Sequence, residues 1–390
     1  MRATIPLIDA HLDLGWCALS WDRDLTEPVE TIRQREAGMT DSRARGNATV
    51  SLGEMRRGDV GLCLGTLLAR AWQADFKGQR LQGQGAVNMF MPPTQRPKDG
   101  PKRIDLDYGH PAIAYAMAHG QLAYYRLLEE QGHIRLIRTR RELEAHWQQW
   151  TGAADPAADA LPIGMVLSME GADPILTPDH AAAWWEQGLR AVGPVHYGAS
   201  TYAVGTGADG PLTPAGRDLL KAMEQLGMIM DVTHLSDTSF FEALDHFGGP
   251  VLASHHNCRA LVPGDRQLSD EQIRLLIQRG AVIGAALDAW MLYPGWQLGQ
   301  SSPEEAGLGL EAVVDHIDHV CQLAGNTQHS AIGSDLDGGF GSEQTPRDLA
   351  TIADLQKLAS LLEKRGYTAQ DVQRIFHGNW LDLLGRCLPA

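Results

Sequence analysis

The chain has 390 residues, 44% of them apolar, with ten tryptophans, enough to bury a large core. Its 48 acidic and 33 basic residues leave a formal net charge of −15 with no long basic block, which argues against nucleic acid and anionic membrane surfaces as partners. No run reaches the ~20 apolar residues of a membrane span. The N-terminus enters a strand pattern without the apolar core of a secretory signal, so the expected location is the cytoplasm. The five cysteines, odd in number and without C-x-x-C spacing, read as buried free thiols and not as a disulfide framework or zinc knuckle.

In chain order, short apolar runs alternate with longer stretches of helical period. Strands are expected at 4–10, 60–68, 163–168, 191–195, 228–232, 250–254, 281–287 and 330–334. Residues 72–110, rich in Gly, Gln, Pro and Lys, form a long loop placed over the catalytic face or at an oligomer contact, which leaves a homodimer open. Helices follow at 111–132 and 139–150, then a polar connector at 151–161. Further on, 214–226 has Thr213 as N-cap and Pro214 at the first helical position, and 270–279 follows Ser269. Eight strands with intervening helices, and no composition shift marking a second domain, indicate an α/β protein with a single (β/α)8 TIM-like barrel over 1–390.

Parallel barrels converge the C-terminal ends of their strands on one face, where active sites form. His11 and Asp13 follow the first run with the period-two spacing that lets both reach one cation. Glu170 ends the third, in SMEGA. A buried carboxylate needs a pair or a cation, and its two oxygens can bridge two ions. His234 ends the fifth run and His255 the sixth. These five ligands suit two divalent ions, one held by His11, Asp13 and Glu170, the other by Glu170, His234 and His255. His256 competes with His255, but its side chain should point away. Asp335 ends the last strand and can move a proton between water and leaving group, with Asp337 as the alternative. His196, after the fourth strand, is placed to hold a developing oxyanion, and Arg266 to hold a substrate carboxylate.

Two motifs are set aside. GTGADG at 205–210 satisfies G-x-G-x-x-G but lies in a loop after His196 and not between a strand and a helix. Trp184 and Trp185 read as helix-to-barrel packing.

The motifs IDAHLD, RRGDVG, SMEGADPI, GLRAVGPVHYGAS, PLTPAGRDLLKAMEQLGMIMDVTHLSD, ASHHNCRAL, DRQLSDEQI, IGSDLDGG and HGNWL together resemble the renal (membrane) dipeptidase family of metallopeptidases, among the amidohydrolase-like barrels. The resemblance implies a distorted (β/α)8 barrel carrying two Zn2+, other divalent metals being admissible. It implies hydrolysis of dipeptides, often with a C-terminal D-residue, by a metal-bridging hydroxide. It assigns His11 and Asp13 to one zinc, Glu170 to the bridge, and His234 and His255 to the other. His196 falls on the scissile carbonyl, Arg266 on the substrate carboxylate and Asp335 on the bridging water. Two departures stand out: Ser254-His255-His256-Asn257 where S-H-S-N is common, and VGPVHYGAS where L-T-H-x-x-x-N is usual. N-acyl amino acids, cyclic amides and lactones are the alternative substrates, of which a lactone would have no need of Arg266. A silent binding protein would have lost a ligand or Asp335, and neither is lost.

Overall fold

The computed structural model describes residues 4–71, 107–108 and 110–390. The expected 72–110 loop therefore falls almost wholly outside the described residues. Eight of the described strands build the barrel: β1 (Leu7–Leu12), β2 (Val60–Leu68), β3 (Ile163–Glu170), β4 (Leu189–Gly193), β5 (Ile229–Asp231), β6 (Val251–Leu252), β7 (Ile283–Ala285) and β8 (Ser330–Ile332). The first six pair in parallel in that order. A bridge from Ala253 to Ile283 carries the sheet on to the parallel β7–β8 pair. Closure back to β1 uses few bonds: Asp335 N–H donates to the His11 carbonyl at 3.3 Å, and the Asp9 carboxylate accepts from Ser334 N–H at 2.8 Å and its hydroxyl at 2.5 Å.

Strands buried on both faces read as continuous apolar runs and not as alternation, and every residue of β2 and β3 is buried. Their register, from Leu62 opposite Gly164 to Leu68 opposite Glu170, puts alternate residues of both strands on the barrel interior. At the N-terminal end that interior is apolar, where Leu62, Leu64 and Val166 pack with Ile8, Ala10, Ile229 and Leu252. The C-terminal helix Asn379–Cys387 closes this end, packing Trp380 into the same cluster and donating its indole N–H to the Ile332 carbonyl at 3.0 Å. Two layers higher the same faces turn polar, with Thr66, Ser168 and Glu170. The floor is thus a core and the mouth is a site.

The helices obey their caps. Thr213 accepts from Gly216 N–H to start Pro214–Leu226. Thr139 and Ser269 each close a capping box, with Glu142 and Gln272, over Arg140–Gly152 and Asp270–Gln278. Trp184 is buried, its indole N–H on the Pro174 carbonyl, as packing requires. The main difference from the sequence expectation is at strand ends. β1 runs on through His11 and β3 through Glu170, because polar residues facing the barrel mouth extend a strand without extending its apolar run. No helix among the described residues is long and apolar enough to cross a membrane, and the five cysteines are free.

Candidate metal centre

Glu170 stands at the middle of the mouth. Its Oε2 lies 3.5 Å from His11 Nε2, while its Oε1 lies 3.0 Å from His234 Nε2, 3.2 Å from His255 Nε2 and 3.7 Å from His196 Nε2. His11 Nε2 is also 3.6 Å from Asp13 and 3.8 Å from Asp335. All seven residues predicted around the centre therefore meet, and Arg266 lines the same cavity. The donor atoms fall into overlapping groups close enough to share cations: His11, Glu170 and His255; Glu170, His196 and His234; His11, Asp13 and Asp335.

Proximity is not matched by hydrogen bonding. Glu170 Oε1, His11 Nε2 and Asp13 Oδ1 are buried and have no hydrogen-bond partner. Orphaned polar atoms of this kind are costly unless something else satisfies them. A carboxylate oxygen about 3 Å from two imidazole nitrogens, yet unbonded to either, has the spacing of co-ligands. The chemistry of the donor set, imidazole nitrogen and carboxylate oxygen, fits divalent cations of the zinc type.

The outer nitrogens separate the histidines by role. A ligating imidazole donates its second N–H to an acceptor, which frees Nε2 to bind. His234 Nδ1 has Thr206 Oγ1 at 3.0 Å, and His255 Nδ1 has Ser254 Oγ at 2.8 Å, both able to accept. Thr66 Oγ1 stands 3.5 Å from His11 Nδ1. His196 differs, because its Nδ1 faces the Arg70 guanidinium at 3.0 Å, a group that can only donate. His196 Nδ1 must then accept, so its proton sits on Nε2, pointing at the centre as a donor. This excludes it from ligation although it lies within reach.

Electrostatics follow from burial. Burial opposes the charged form of His11, but the Glu170 and Asp13 carboxylates outweigh it and hold its pKa well above the ordinary imidazole value. His196, His234 and His255 are pushed well down, first by burial and then by neighbouring cationic groups. Asp335 is pushed well up by burial, with repulsion from Asp13 and Glu170 adding to it. A crowd of carboxylates and imidazoles without its counter-charge is poorly solvated, as expected of a site built around cations.

Backbone geometry aims two of these groups. His234 has φ of 70° and Asp335 of 59°, the left-handed region that most side chains avoid. Glycines make room for them. A Cβ at Gly338 would lie 1.9 Å from Asp335 Oδ1, and one at Gly205 would lie 2.9 Å from the His234 carbonyl and 1.9 Å from that of His196. The G-x-G loop thus packs between the fourth and fifth strand ends, where it supplies Thr206 to His234.

The alternative residues lie elsewhere. Asp337 faces away from the centre, accepting from Arg23 at 2.9 Å and from Thr49 N–H and hydroxyl at 2.8 and 2.7 Å. His256 is buried near Arg266 and does not join the Glu170 groups. Arg266 is 1% exposed, donates from Nη2 to the His255 carbonyl at 3.0 Å, and has a buried Nη1 without a partner. Sequence reasoning missed Tyr197, Asp288, Trp290 and Met291, which complete the cavity wall, and Thr66, Arg70, Thr206 and Ser254 behind the imidazoles. Asp288 alone carried a usable signal, since it follows the seventh apolar run.

Comparison with known proteins places the fold and the family. The family model for membrane dipeptidase (peptidase family M19) matches residues 1–387. An uncharacterized protein in the pqqA 5′ region of Klebsiella pneumoniae is 30% identical over 210 residues, 52% of this chain and 73% of that protein. Dipeptidase tcpJ of Claviceps purpurea (strain 20.1) is 28% identical over 259 residues, 64% of this chain, which spans 58% of that relative. The crystal structure of a Rhodobacter sphaeroides metallo peptidase liganded with a phosphinate mimic of the dipeptide L-Ala-D-Ala superposes with a TM-score of 0.72 at 23% identity, covering 98% of this chain and 99% of that one. The dipeptidase AC, a metallo peptidase of family M19, gives the same TM-score at 21% identity, covering 99% and 100%. The chain belongs to the membrane dipeptidase family, peptidase family M19, and is an enzyme of the peptide-hydrolase class.

Proposed function

We propose that this protein hydrolyses dipeptides at a binuclear divalent-metal centre, with zinc the cation that the donor set and the family favour. The observation that carries the proposal is Glu170, whose two oxygens face separate ligand groups while Oε1, buried, has no hydrogen-bond partner. His11 and Asp13 would hold one cation, His234 and His255 the other, and Glu170 both. Cations held there would supply Lewis acidity to the scissile carbonyl and bring the pKa of an attacking water toward neutrality. Asp335 accepts the proton of that water and passes it to the departing amine. His196, fixed by Arg70 as a donor from Nε2, stabilises the tetrahedral oxyanion. The free Nη1 of Arg266 is available to the terminal carboxylate, and a C-terminal D-residue is within the proposed range. Protein purified without chelator should contain two divalent ions per chain by elemental analysis, and a dipeptide library should report hydrolysis. A folded, active protein without metal would sink the proposal.

Arg266 gives a sharper expectation for substrate. Since the terminal carboxylate stays bound throughout the reaction, Arg266→Ala should raise KM at least as much as it lowers kcat, at a cost of about 1.5–3 kcal/mol in kcat/KM. Amidating the substrate carboxylate should weaken the wild type by a similar factor and the variant much less. Equal losses in both would show that Arg266 does not read the carboxylate.

A further inference from the structure

Arg266 is not the sole group of the cavity wall without a counter-charge. Asp288 follows the seventh strand, lines the same cavity, and is 4% exposed. It caps the short helix Ala289–Leu292, its Oδ1 accepting from Trp290 N–H at 3.3 Å and from Gln344 Nε2 at 2.7 Å. The Trp290 indole, a further neutral donor, lies beside it. Among the described residues no lysine, arginine or histidine pairs with this carboxylate. A buried carboxylate held by neutral donors alone is incompletely compensated, and burial drives its pKa up to about 7. A cap needs no charge, because asparagine and serine cap as well as aspartate. Something other than the helix must account for an ionisable group at the mouth of a reaction cavity.

We propose that Asp288 is a specificity residue that receives the α-ammonium group of the substrate, so that the cavity reads a zwitterion with Asp288 at one end and Arg266 at the other. The inference rests on the dipeptidase reading above and narrows it. An N-acyl amino acid or a lactone offers no cation to Asp288, whereas a dipeptide with a free N-terminus does. The arriving ammonium supplies the charge-assisted hydrogen bond that Gln344 and Trp290 cannot.

The test compares an alanyl dipeptide with its propionyl counterpart, in which hydrogen replaces the ammonium group, on metal-loaded wild type, Asp288→Asn and Asp288→Ser. Both replacements retain a side-chain oxygen for the cap, and melting temperature and metal content check that each variant is folded and loaded. Wild type should favour the alanyl compound in kcat/KM by about ten- to a hundredfold, the range of one charged hydrogen bond. In both variants that preference should collapse to within about threefold, chiefly through KM for the alanyl compound. A preference that survives in folded, loaded variants, or an equal loss on both compounds, would overturn the role of Asp288 and leave dipeptide hydrolysis standing. Loaded wild type that cleaves neither compound, nor any member of a dipeptide library, would overturn the dipeptidase reading and this inference with it.

Discussion

Asp335→Asn is expected to lower kcat by about two to four orders of magnitude, the loss typical of a general acid–base, with metal content and folding unchanged. The expectation has three physical parts. Asp335 lies 3.8 Å from His11 Nε2 at the edge of the candidate ligands and outside the Glu170–His234–His255 contacts. Burial and the neighbouring Asp13 and Glu170 raise its proton affinity, which suits a group that must take a proton and return it. Asparagine tolerates the left-handed backbone at this position, and a neutral amide leaves the Gly338 cradle undisturbed. Steady-state kinetics with elemental analysis of the same preparation decides the matter. Near wild-type turnover in a fully loaded variant would remove Asp335 from the mechanism.

The second large effect concerns stability and lies one loop away. Arg23 is buried between Glu36 and Asp337, donating to Glu36 at 2.8 and 3.0 Å, to Asp337 at 2.9 Å and to the Ala44 carbonyl at 3.0 Å, with the Trp21 ring 4.4 Å from its guanidinium carbon. Arg45 approaches Glu36 from the other side at 2.9 Å. Arg23→Met removes the cation and leaves Asp337 buried with only neutral donors from Thr49 and Val50. Breaking a buried pair by deleting one partner costs about 3–5 kcal/mol, so urea denaturation should show a drop of that size. Since the network tethers the loop after β8, Asp335 should also become less well placed, and kcat should fall modestly in the still-folded fraction. A stability change under about 1 kcal/mol would show that the network is not fully desolvated.

The two acids of the D-L-D motif illustrate what a sequence can and cannot distinguish. Asp335 and Asp337 have the same residue type, both have positive φ, and they lie two positions apart. Their roles separate through partners more than 280 residues away in the chain, Thr49 and Arg23 for one and His11 for the other. No local pattern encodes that. The barrel and the cluster of ionisable residues at its mouth were legible because each depends on a local rule: an apolar run, a cap, a polar residue at the run's end. Arg70 was not legible, because nothing in GTLLARAW announces an arginine that sets the proton of an imidazole in the loop beyond another strand. Asp288 was legible by the rule that found Glu170 and Asp335, since it directly follows the 281–287 run.

The seam between the first and last strands has a consequence for how the molecule is made. Asp9 and Ser334, which hold that seam, are 325 positions apart. At a ribosomal rate of about 5–20 residues per second, Asp9 emerges roughly 16–65 s before its partner is synthesised. Through that interval β1 presents an open strand edge, the kind of surface that recruits other chains. His11 and Asp13 wait on it with neither Glu170 nor Asp335 in place at first, too few donors to retain a cation. The candidate donor set of His11, Asp13, Glu170, His234 and His255 is complete only once His255 has been synthesised, so a cation shared by all five could be held only after that point in translation.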